Sequence, residues 1–419
     1  MRAVTVWLKI GLRNARRNAR RSLFTMVAVG LGFAAVNVFA GFREYMNIGL
    51  RDGDIYALAQ GHLTIVQRGF FERRENQRFA LLISPGELRQ VRKVLDGIPE
   101  VVISTPKLHL SGMVKTGRQT AVFFAVARIP SEVEALRARA PGMTSRLKLY
   151  EGEPLRDELP AGVGLSKGLA EKLGVDLGDP LQVVSHTAGG GLTELDAQLL
   201  NRFEAHAEWL DDKLMVMSLE LAQGLAGSRD VDRVAVLLPS TKQIEPARRA
   251  IAAGLAERGL KMEVKSWEEL DPIYRKAKHL VDVIFSFLFV IVLLIAASSV
   301  MNTVGVAVIE RTREVGALRA LGVEVADVIR MFVVESGALG LVGSVLGFLL
   351  TLVSIGLVQA LEITWIPPHL TMQVPLEVFL VPRVALTSAL VLVALSMASA
   401  VLPALRAARR VIPDALGHD

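Results

Sequence analysis

Four long stretches of this chain contain no charged residue, and each is bordered by charged segments. The stretches are 20 to 27 residues long. A helix of about 20 apolar residues crosses the hydrocarbon core of a bilayer, and a chain with 51% hydrophobic and only 21% charged residues is unusually apolar for a soluble protein. The pattern therefore predicts four transmembrane helices, at residues 23–43, 283–309, 331–360 and 383–405.

The spacing of these spans predicts the domain organisation. One large segment, residues 44–278, separates the first span from the other three. It alternates between strand-like and helix-like patterns, which favours an α+β domain of two subdomains with helical stalks at either end. The later spans are joined by short segments, residues 310–330 and 361–382, and residues 406–419 form a tail. The fold class expected is thus a four-span α-helical membrane protein with a large α+β domain outside the membrane.

Basic residues predict which side of the membrane each segment faces. Residues 1–22 contain seven Lys and Arg residues and no acid, the segment 310–330 contains four basic residues, and 361–382 contains none. Cytoplasmic segments are enriched in Lys and Arg, so we expect both termini in the cytoplasm and residues 44–278 outside it. Residues 1–22 are expected to form an amphipathic interfacial helix. The net charge of +6 then comes mostly from basic segments that lie at the cytoplasmic surface of the membrane. It gives no reason to expect nucleic acid as a partner.

Within 44–278, turn residues separate short strand and helix patterns. Ser84 and Glu87 form a capping box at the start of a helix, and the polar, glycine-containing stretch 186–208 is expected to be a loop. Strands are expected at residues 61–66, 101–104, 107–114, 119–127, 181–184, 213–218, 234–238 and 262–266.

Residues 164–168 match G-x-S-x-G, the nucleophile elbow of hydrolases, with Asp196 and His206 following in the required order. The residues before Ser166 make a poor buried strand, however, and Ser166 is well placed to cap the following helix. We therefore favour the cap, predict no catalytic residue, and keep a membrane-anchored hydrolase as the alternative. The seven histidines show no pair at ligand spacing, so no metal site is expected.

The third span carries one acid, Glu335, and a glycine repeat. An acid in a membrane is costly unless it is paired, so Glu335 is either a functional residue or an interfacial side chain that reaches toward water. The glycines recur every three or four residues and predict a surface for close helix packing. They are Gly337, Gly340, Gly343 and Gly347.

The segment 310–322 combines charges of alternating sign with Val315, Leu318 and Leu321. This pattern is typical of a short amphipathic helix. Joined directly to two spans, such a helix would act as a lever for a cytoplasmic partner, whereas a solvated loop is the alternative.

The sequences ERTREVGALRALG and VIRMFVVESGALGLVGSVLG, at 310–322 and 328–347, resemble the signature of FtsX-like permeases. This family of ABC transporter subunits includes MacB-type efflux, lipoprotein-releasing and FtsX proteins. The stretches at 168–184 and 403–408, and the order of one span, a large domain and three spans, are also similar to members of the family. The chain lacks the fused ATPase of MacB, which makes the lipoprotein-releasing arrangement the closer resemblance.

The resemblance implies a permease that binds no cofactor itself and is not an enzyme, with ATP and Mg on a separate cytoplasmic ATPase dimer. It also implies the bacterial inner membrane, a second permease copy, identical or different, and mechanotransmission, in which nucleotide-driven movement reaches the outer domain. By matching position, the residues that contact the ATPase would be Glu310, Arg311, Glu314, Gly316, Arg319, Ala320 and Gly322.

The resemblance leaves several substrates open. Extraction of a lipoprotein or another amphipathic molecule from the outer leaflet is favoured, with a periplasmic chaperone or adaptor and membrane lipids as further partners. The alternatives are efflux of a drug, peptide or haem through an adaptor, and FtsX-like signalling to a cell-wall hydrolase. A candidate apolar substrate pocket is predicted at the outer ends of the first two spans, formed by Phe39, Phe42, Met46, Phe285 and Phe289.

Overall fold

The computed structural model describes residues 19–73, 81–117, 119–142, 144, 149–205, 208–365 and 373–409. The chain divides into two compact units. The helical unit contains the chain up to Asn47, Ala277–Ile363 and the chain from Pro375 onward, and the strand-rich unit contains Ile48–Lys276 and Thr364–Val374. Most of the interfacial helix predicted at 1–22 lies outside the described residues.

The helices are α1 (Ala19–Asp52), α2 (Pro85–Leu95), α3 (Pro130–Arg137), α4 (Lys167–Leu173), α5 (Leu219–Ala226), α6 (Ile244–Glu257), α7 (Trp267–Leu270), α8 (Pro272–Glu310), α9 (Thr312–Ala320), α10 (Val325–Ala360) and α11 (Pro382–Ala408). The strands are β1 (Leu63–Gln67), β2 (Ile103–Lys115), β3 (Thr120–Arg128), β4 (Tyr150–Gly152), β5 (Gly162–Ser166), β6 (Pro180–His186), β7 (Leu192–Phe203), β8 (Leu214–Ser218), β9 (Arg233–Leu237), β10 (Met262–Ser266), β11 (Thr364–Trp365) and β12 (Val374–Pro375). A π-helical turn, Gly53–Ala57, follows α1 directly.

Four helices in the described part of the chain, α1, α8, α10 and α11, are long and apolar enough to cross a membrane. One lies before and three lie after the strand-rich unit, so the predicted number and order of the spans are confirmed. Both α1 and α8 are longer than their charge-free cores, because each continues past its apolar stretch into residues of the strand-rich unit.

The predicted glycine surface of α10 contacts two different helices. A Cβ atom added at Gly347 would lie 2.5 Å from the carbonyl oxygen of Gly30 in α1, and one added at Gly343 would lie 2.8 Å from Val29. A Cβ at Gly340 would lie 2.7 Å from Oγ of Ser396 in α11. The glycines therefore let α10 approach α1 and α11 more closely than any larger residue would allow.

Polar side chains also join helices within this unit. The hydroxyl groups of Thr25 and Thr303 hydrogen-bond to each other and link α1 to α8. Asn37 of α1 donates to Oγ of Ser388 in α11 over 3.0 Å and to the carbonyl of Phe33 over 2.9 Å. Buried polar groups need such partners, and these pairs fix the register of α1 against its neighbours.

The strand-rich unit contains a ten-stranded sheet that closes on itself. Six strands form a ring in the order β2, β3, β8, β5, β7 and β6, and β6 then pairs with β2 again. The remaining strands extend the ring, since β9, β1 and β10 follow one another from β2, and β4 pairs with β7. The unit is thus a six-stranded barrel with an open extension.

The barrel has an apolar core. Residues at alternate positions of its strands, such as Leu110, Phe123, Val183 and Leu199, belong to one buried cluster. Helix α5 contacts β2, β3, β6, β7 and β8, and its apolar side chains are buried in the same cluster. The interior is therefore a packed core.

The structure corrects three predictions about strands. Residues 101–104 and 107–114 were expected to be two strands, but a single strand, β2, continues through Pro106. Its pairing with β3 begins at the next residue, Lys107. The loop expected at 186–208 contains the twelve-residue strand β7. The segment before Ser166, expected to be a poor strand, is β5, and all five of its residues are buried.

Candidate functional site

Helix α9 lies in the segment that joins α8 to α10, and an ion pair anchors its beginning. Nη1 of Arg311 donates to Oε2 of Glu335 in α10 over 3.0 Å, and both side chains are about nine-tenths buried. Val315 and Gly316 of α9 are also buried. The acid predicted to be costly in the third span is therefore neutralised by a basic residue within the chain.

The seven residues predicted to contact an ATPase divide into two groups. Arg311 and Gly316 are buried against this chain, and Arg319 is half-buried and donates to the carbonyl of Val323 over 3.2 Å. These three hold α9 in place. The other four are exposed: Glu310, Glu314, Ala320 and Gly322.

The most exposed apolar side chain of this segment was not in the predicted set. Leu321 is 82% exposed and immediately follows the end of α9. Its position follows from Gly322, whose φ of +91° turns the chain away from the helix. The sequence pattern assigned Leu321 and Val315 to one amphipathic helix, but the helix ends at Ala320, so Val315 packs inward and Leu321 does not.

The aromatic residues of the predicted substrate pocket lie together within the helical unit. The ring centroids of Phe39 and Phe285 are 6.0 Å apart, and those of Phe285 and Phe289 are 6.1 Å apart, in both cases with nearly parallel planes. Phe42 lies 6.2 Å from Phe39, and Met46 is half-buried one helical turn beyond Phe42. The rings contact one another, and a role in substrate binding stays a prediction.

A charged pair lies beside these rings. Nη1 of Arg43 is 3.2 Å from Oδ1 of Asp282, and the guanidinium carbon of Arg43 lies 4.5 Å from the centre of the Phe285 ring. Because α8 runs from Pro272 to Glu310, these residues lie toward the end of α8 that is opposite α9. The cluster thus combines an apolar surface with one cation and one anion.

Ser166 is not placed to act as a nucleophile. Its side chain is fully buried, and its hydroxyl group donates to the carbonyls of Asp211 and Leu214. Asp196 is exposed, and His206 lies outside the described residues. Ser166 occupies the N-cap position of α4, as predicted. Its hydroxyl group accepts no hydrogen bond from an amide of that helix, so the prediction that its side chain caps α4 is wrong.

The acid that caps α4 is Asp211. Its Oδ2 accepts from the amide of Gly168 over 3.0 Å, and its Oδ1 accepts from the amide of Ala205 over 3.4 Å. Residues 43 positions apart are thus joined at a helix N-terminus, where a carboxylate is favourable. Local sequence contains no signal for this contact.

Comparison with known proteins finds a family model that matches the part of the chain containing these features. Residues 286–412, which include part of α8, all of α9 and α10, and α11, match the family model described as FtsX-like permease C-terminal. The match covers the Arg311–Glu335 pair and the whole glycine surface of α10.

Curated relatives include an uncharacterized ABC transporter permease of Methanocaldococcus jannaschii, 28% identical over 162 residues, or 36% of this chain and 39% of that protein. The macrolide export ATP-binding/permease protein MacB of Acinetobacter baylyi is 24% identical over 349 residues, or 81% of this chain and 49% of that protein. The pyoverdine export ATP-binding/permease protein PvdT of Pseudomonas putida is 28% identical and covers 42% of this chain. This chain therefore spans less than half the length of the relatives it matches.

Two solved domains are similar to part of the chain. The extracellular domain of the noncanonic ABC-type transporter YknZ from Gram-positive bacteria aligns with a TM-score of 0.35 and 14% identity over 49% of this chain and 100% of that domain. The periplasmic region of MacB from Actinobacillus actinomycetemcomitans aligns with a TM-score of 0.37 and 11% identity over 50% of this chain and 90% of that region.

Proposed function

We propose that the chain is the permease subunit of an ABC transporter, because residues 286–412 match the FtsX-like permease C-terminal family model. In this proposal ATP hydrolysis takes place on a separate ATPase dimer that binds ATP and Mg. The permease works with a second copy, identical or different, in the bacterial inner membrane, with both termini in the cytoplasm.

The observation that carries the proposal is the geometry of α9. Its inner side is fixed by the Arg311–Glu335 pair and by buried Val315, while Leu321 is exposed beside it. An exposed aliphatic side chain on a fixed support is suited to anchor a partner by filling a pocket on it. We propose that Leu321, Glu310, Glu314, Ala320 and Gly322 dock on the ATPase.

Movement of α9 would then be passed on by mechanotransmission. Residues of α8 and α1 continue from the helical unit into the strand-rich unit without a break in the helix. A free-energy difference of a few kcal/mol between two conformations is enough to shift a two-state equilibrium. In this mechanism the movement itself does the work, and no substrate needs to pass between the helices.

The favoured substrate is a lipoprotein or another amphipathic molecule taken from the outer leaflet, with a periplasmic chaperone or adaptor as the receiving partner. Support comes from the phenylalanine rings beside the Arg43–Asp282 pair, because acyl chains need an apolar surface and headgroups need charge. Export of a small amphipathic compound is the second candidate, since relatives carry the names macrolide export and pyoverdine export.

The first experiment is co-purification of the tagged full chain from its own organism, with any bound ABC ATPase identified by mass spectrometry. We expect the Leu321→Asp variant to recover at least tenfold less ATPase than the wild type. Leu361→Asp is the matched control, because Leu361 is also exposed but follows the other end of α10. Equal recovery by both variants would remove the docking role, and mass spectrometry of molecules bound to the wild-type complex separates lipoproteins from small exported compounds.

A further inference from the structure

Within the strand-rich unit, two arginines hold the turn that follows α1. The π-helical turn Gly53–Ala57 ends α1, and the chain then turns through Ala59, which is fully buried and has a φ of +53°. A non-glycine residue rarely adopts this conformation unless the surrounding structure requires it. The turn therefore needs contacts that hold it.

Backbone hydrogen bonds account for the carbonyl groups of this turn up to Tyr56. Each of these carbonyl oxygens accepts from one backbone amide over 2.9 to 3.1 Å. The pairs are Gly53 with Leu58, Asp54 with Gln60, Ile55 with Gly61, and Tyr56 with Ala59. The next two carbonyls, those of Ala57 and Leu58, are taken by side chains instead. The last carbonyls of a helix need such partners.

Both partners are arginines. Arg137 donates to the Ala57 carbonyl through Nε over 3.2 Å and through Nη2 over 3.0 Å. Arg128 donates to the Leu58 carbonyl through Nη1 over 3.3 Å. Cations are favourable at the negative end of a helix dipole, and a guanidinium group holds a fixed direction.

The two arginines come from different elements. Arg128 is the last residue of β3, and Arg137 is the last residue of α3. Arg128 is only 9% exposed, and burial lowers its pKa to about 9, so it stays charged at neutral pH. The end of α1 is thereby tied both to the sheet and to a helix that packs on it.

An apolar cluster, called the hub here, surrounds this junction. It consists of Ile55, Tyr56, Ala59, Val133, Leu136, Leu237, Trp267 and Tyr274. Trp267 and Tyr274 meet edge to face, with ring centroids 4.5 Å apart, and Tyr274 lies in the first turn of α8. The start of α8 and the end of α1 therefore meet the sheet at the same place.

We propose that Arg128 and Arg137 are positioning residues that make the end of α1 and the sheet move as one rigid body. The rigid connection between the end of α1 and the sheet does not depend on the proposed function. Only its use, to carry movement during transport, rests on that function. Without the two guanidinium groups, the turn at Ala57 and Leu58 loses its partners, and the helix end is free to pivot on the apolar hub.

The chain contains no cysteine, so spin labels can be attached at introduced cysteines in the full chain. One label replaces Ile48, in α1, and the other replaces Val122, which is 51% exposed on β3. Double electron–electron resonance spectroscopy then measures the distribution of distances between the two labels. We expect the distribution to become at least twice as wide in the Arg128→Met, Arg137→Met double variant.

Two controls separate positioning from folding. Arg139→Met removes an exposed arginine that follows α3 and donates to the Ala135 carbonyl of that helix, and it should leave the width unchanged. The double variant Arg128→Lys, Arg137→Lys keeps both positive charges and N–H donors. Its distance distribution should widen by no more than half as much as that of the double Met variant. If the double variant does not fold, the Arg137→Met single variant replaces it.

Hydrogen exchange of the barrel strands β5 and β8 shows whether a variant is folded. An unchanged distance distribution in a folded variant would overturn the proposal. Failure of the chain to bind an ATPase would instead remove the proposed function, and the distance measurement would be unaffected, so the two failures are distinguishable.

Discussion

Arg311 and Glu335 form a buried ion pair, with Nη1 and Oε2 3.0 Å apart, that joins the segment before α9 to α10. The two residues are 24 positions apart in sequence. Removing one member leaves a buried charge without its partner, which costs more than the pair contributes when it is intact.

We expect Glu335→Gln to lower the free energy of unfolding by about 3 kcal/mol or more, measured by thermal unfolding in detergent. The exchanged pair, Arg311→Glu with Glu335→Arg, should recover more than half of that loss. Asp327→Asn is the control, because Asp327 pairs with Arg330 at an exposed site where such pairs contribute less than about 1 kcal/mol. Equal losses for Glu335→Gln and Asp327→Asn would contradict this account.

The crossing of α1 and α10 makes a second prediction. A Cβ at Gly347 would lie 2.5 Å from the Gly30 carbonyl oxygen and 2.6 Å from Cβ of Phe33, so Gly347→Ala must push the helices apart. We expect a loss of about 2 kcal/mol. Gly356→Ala, on the same helix with nothing within 4 Å, should be neutral or slightly stabilising. Thermal unfolding of the two variants side by side checks this, and a neutral Gly347→Ala would show that the crossing is looser than described.

His62 makes the stability of the strand-rich unit depend on pH. Its side chain is 1% exposed, its Nδ1 accepts from the Leu238 amide over 3.1 Å, and burial lowers its pKa to about 4. The unfolded chain takes up a proton near pH 6.5 and the folded chain only near pH 4, so stability falls as pH falls through this window. The loss is at most about 3 to 4 kcal/mol, since the two pKa values differ by about 2.5 and a difference of one corresponds to about 1.4 kcal/mol.

Denaturant unfolding between pH 7 and pH 4 measures this effect. His62→Asn keeps an acceptor near Nδ1 and cannot be protonated, so its stability should depend less on pH in this range. His186→Asn, at an exposed position of β6, should behave as the wild type. An unchanged slope in His62→Asn would assign the pH dependence to other groups.

Asp211 supplies a fourth prediction. Asp211→Ala removes the carboxylate that accepts from Gly168 and Ala205, and we expect a loss of about 1 kcal/mol, as for other helix caps. Asp212→Ala removes an exposed acid that pairs with Lys172 and Lys213 and should have little effect. Denaturant unfolding followed by circular dichroism distinguishes the two variants, and equal losses would remove the capping role.

The spans could be predicted from sequence because a charge in lipid is costly over the whole length of a helix. A separate signal, glycines that recur every three or four residues, predicted the glycine surface of α10, although it could not show that Gly347 meets α1 while Gly340 meets α11. Strand β7 was missed because its charged residues suggested a loop. The alternation of Glu194, Asp196 and Gln198 with apolar residues was the available signal.

Contacts between distant residues had no local signal. Asp211 is 43 positions from the helix it caps, and Ala57 and Leu58 are some 70 to 80 positions from the arginines that hold them. Exposure of Leu321 depends on where α9 ends, and helix ends are the least predictable feature of a sequence. The candidate docking surface was therefore predicted by location, while its most exposed apolar residue was not.

The ring of six strands also affects how this protein behaves when it is crowded. Unpaired strand edges are where sheets of different molecules join and start to aggregate, and each strand of the ring has a neighbour on both sides. Among the described strands of this sheet, the outermost are β4, with three residues, and β10, which carries Glu263 and Lys265. A short edge and a charged edge are poor templates for another chain, so the sheets of neighbouring copies should not join edge to edge even where many copies gather on one surface.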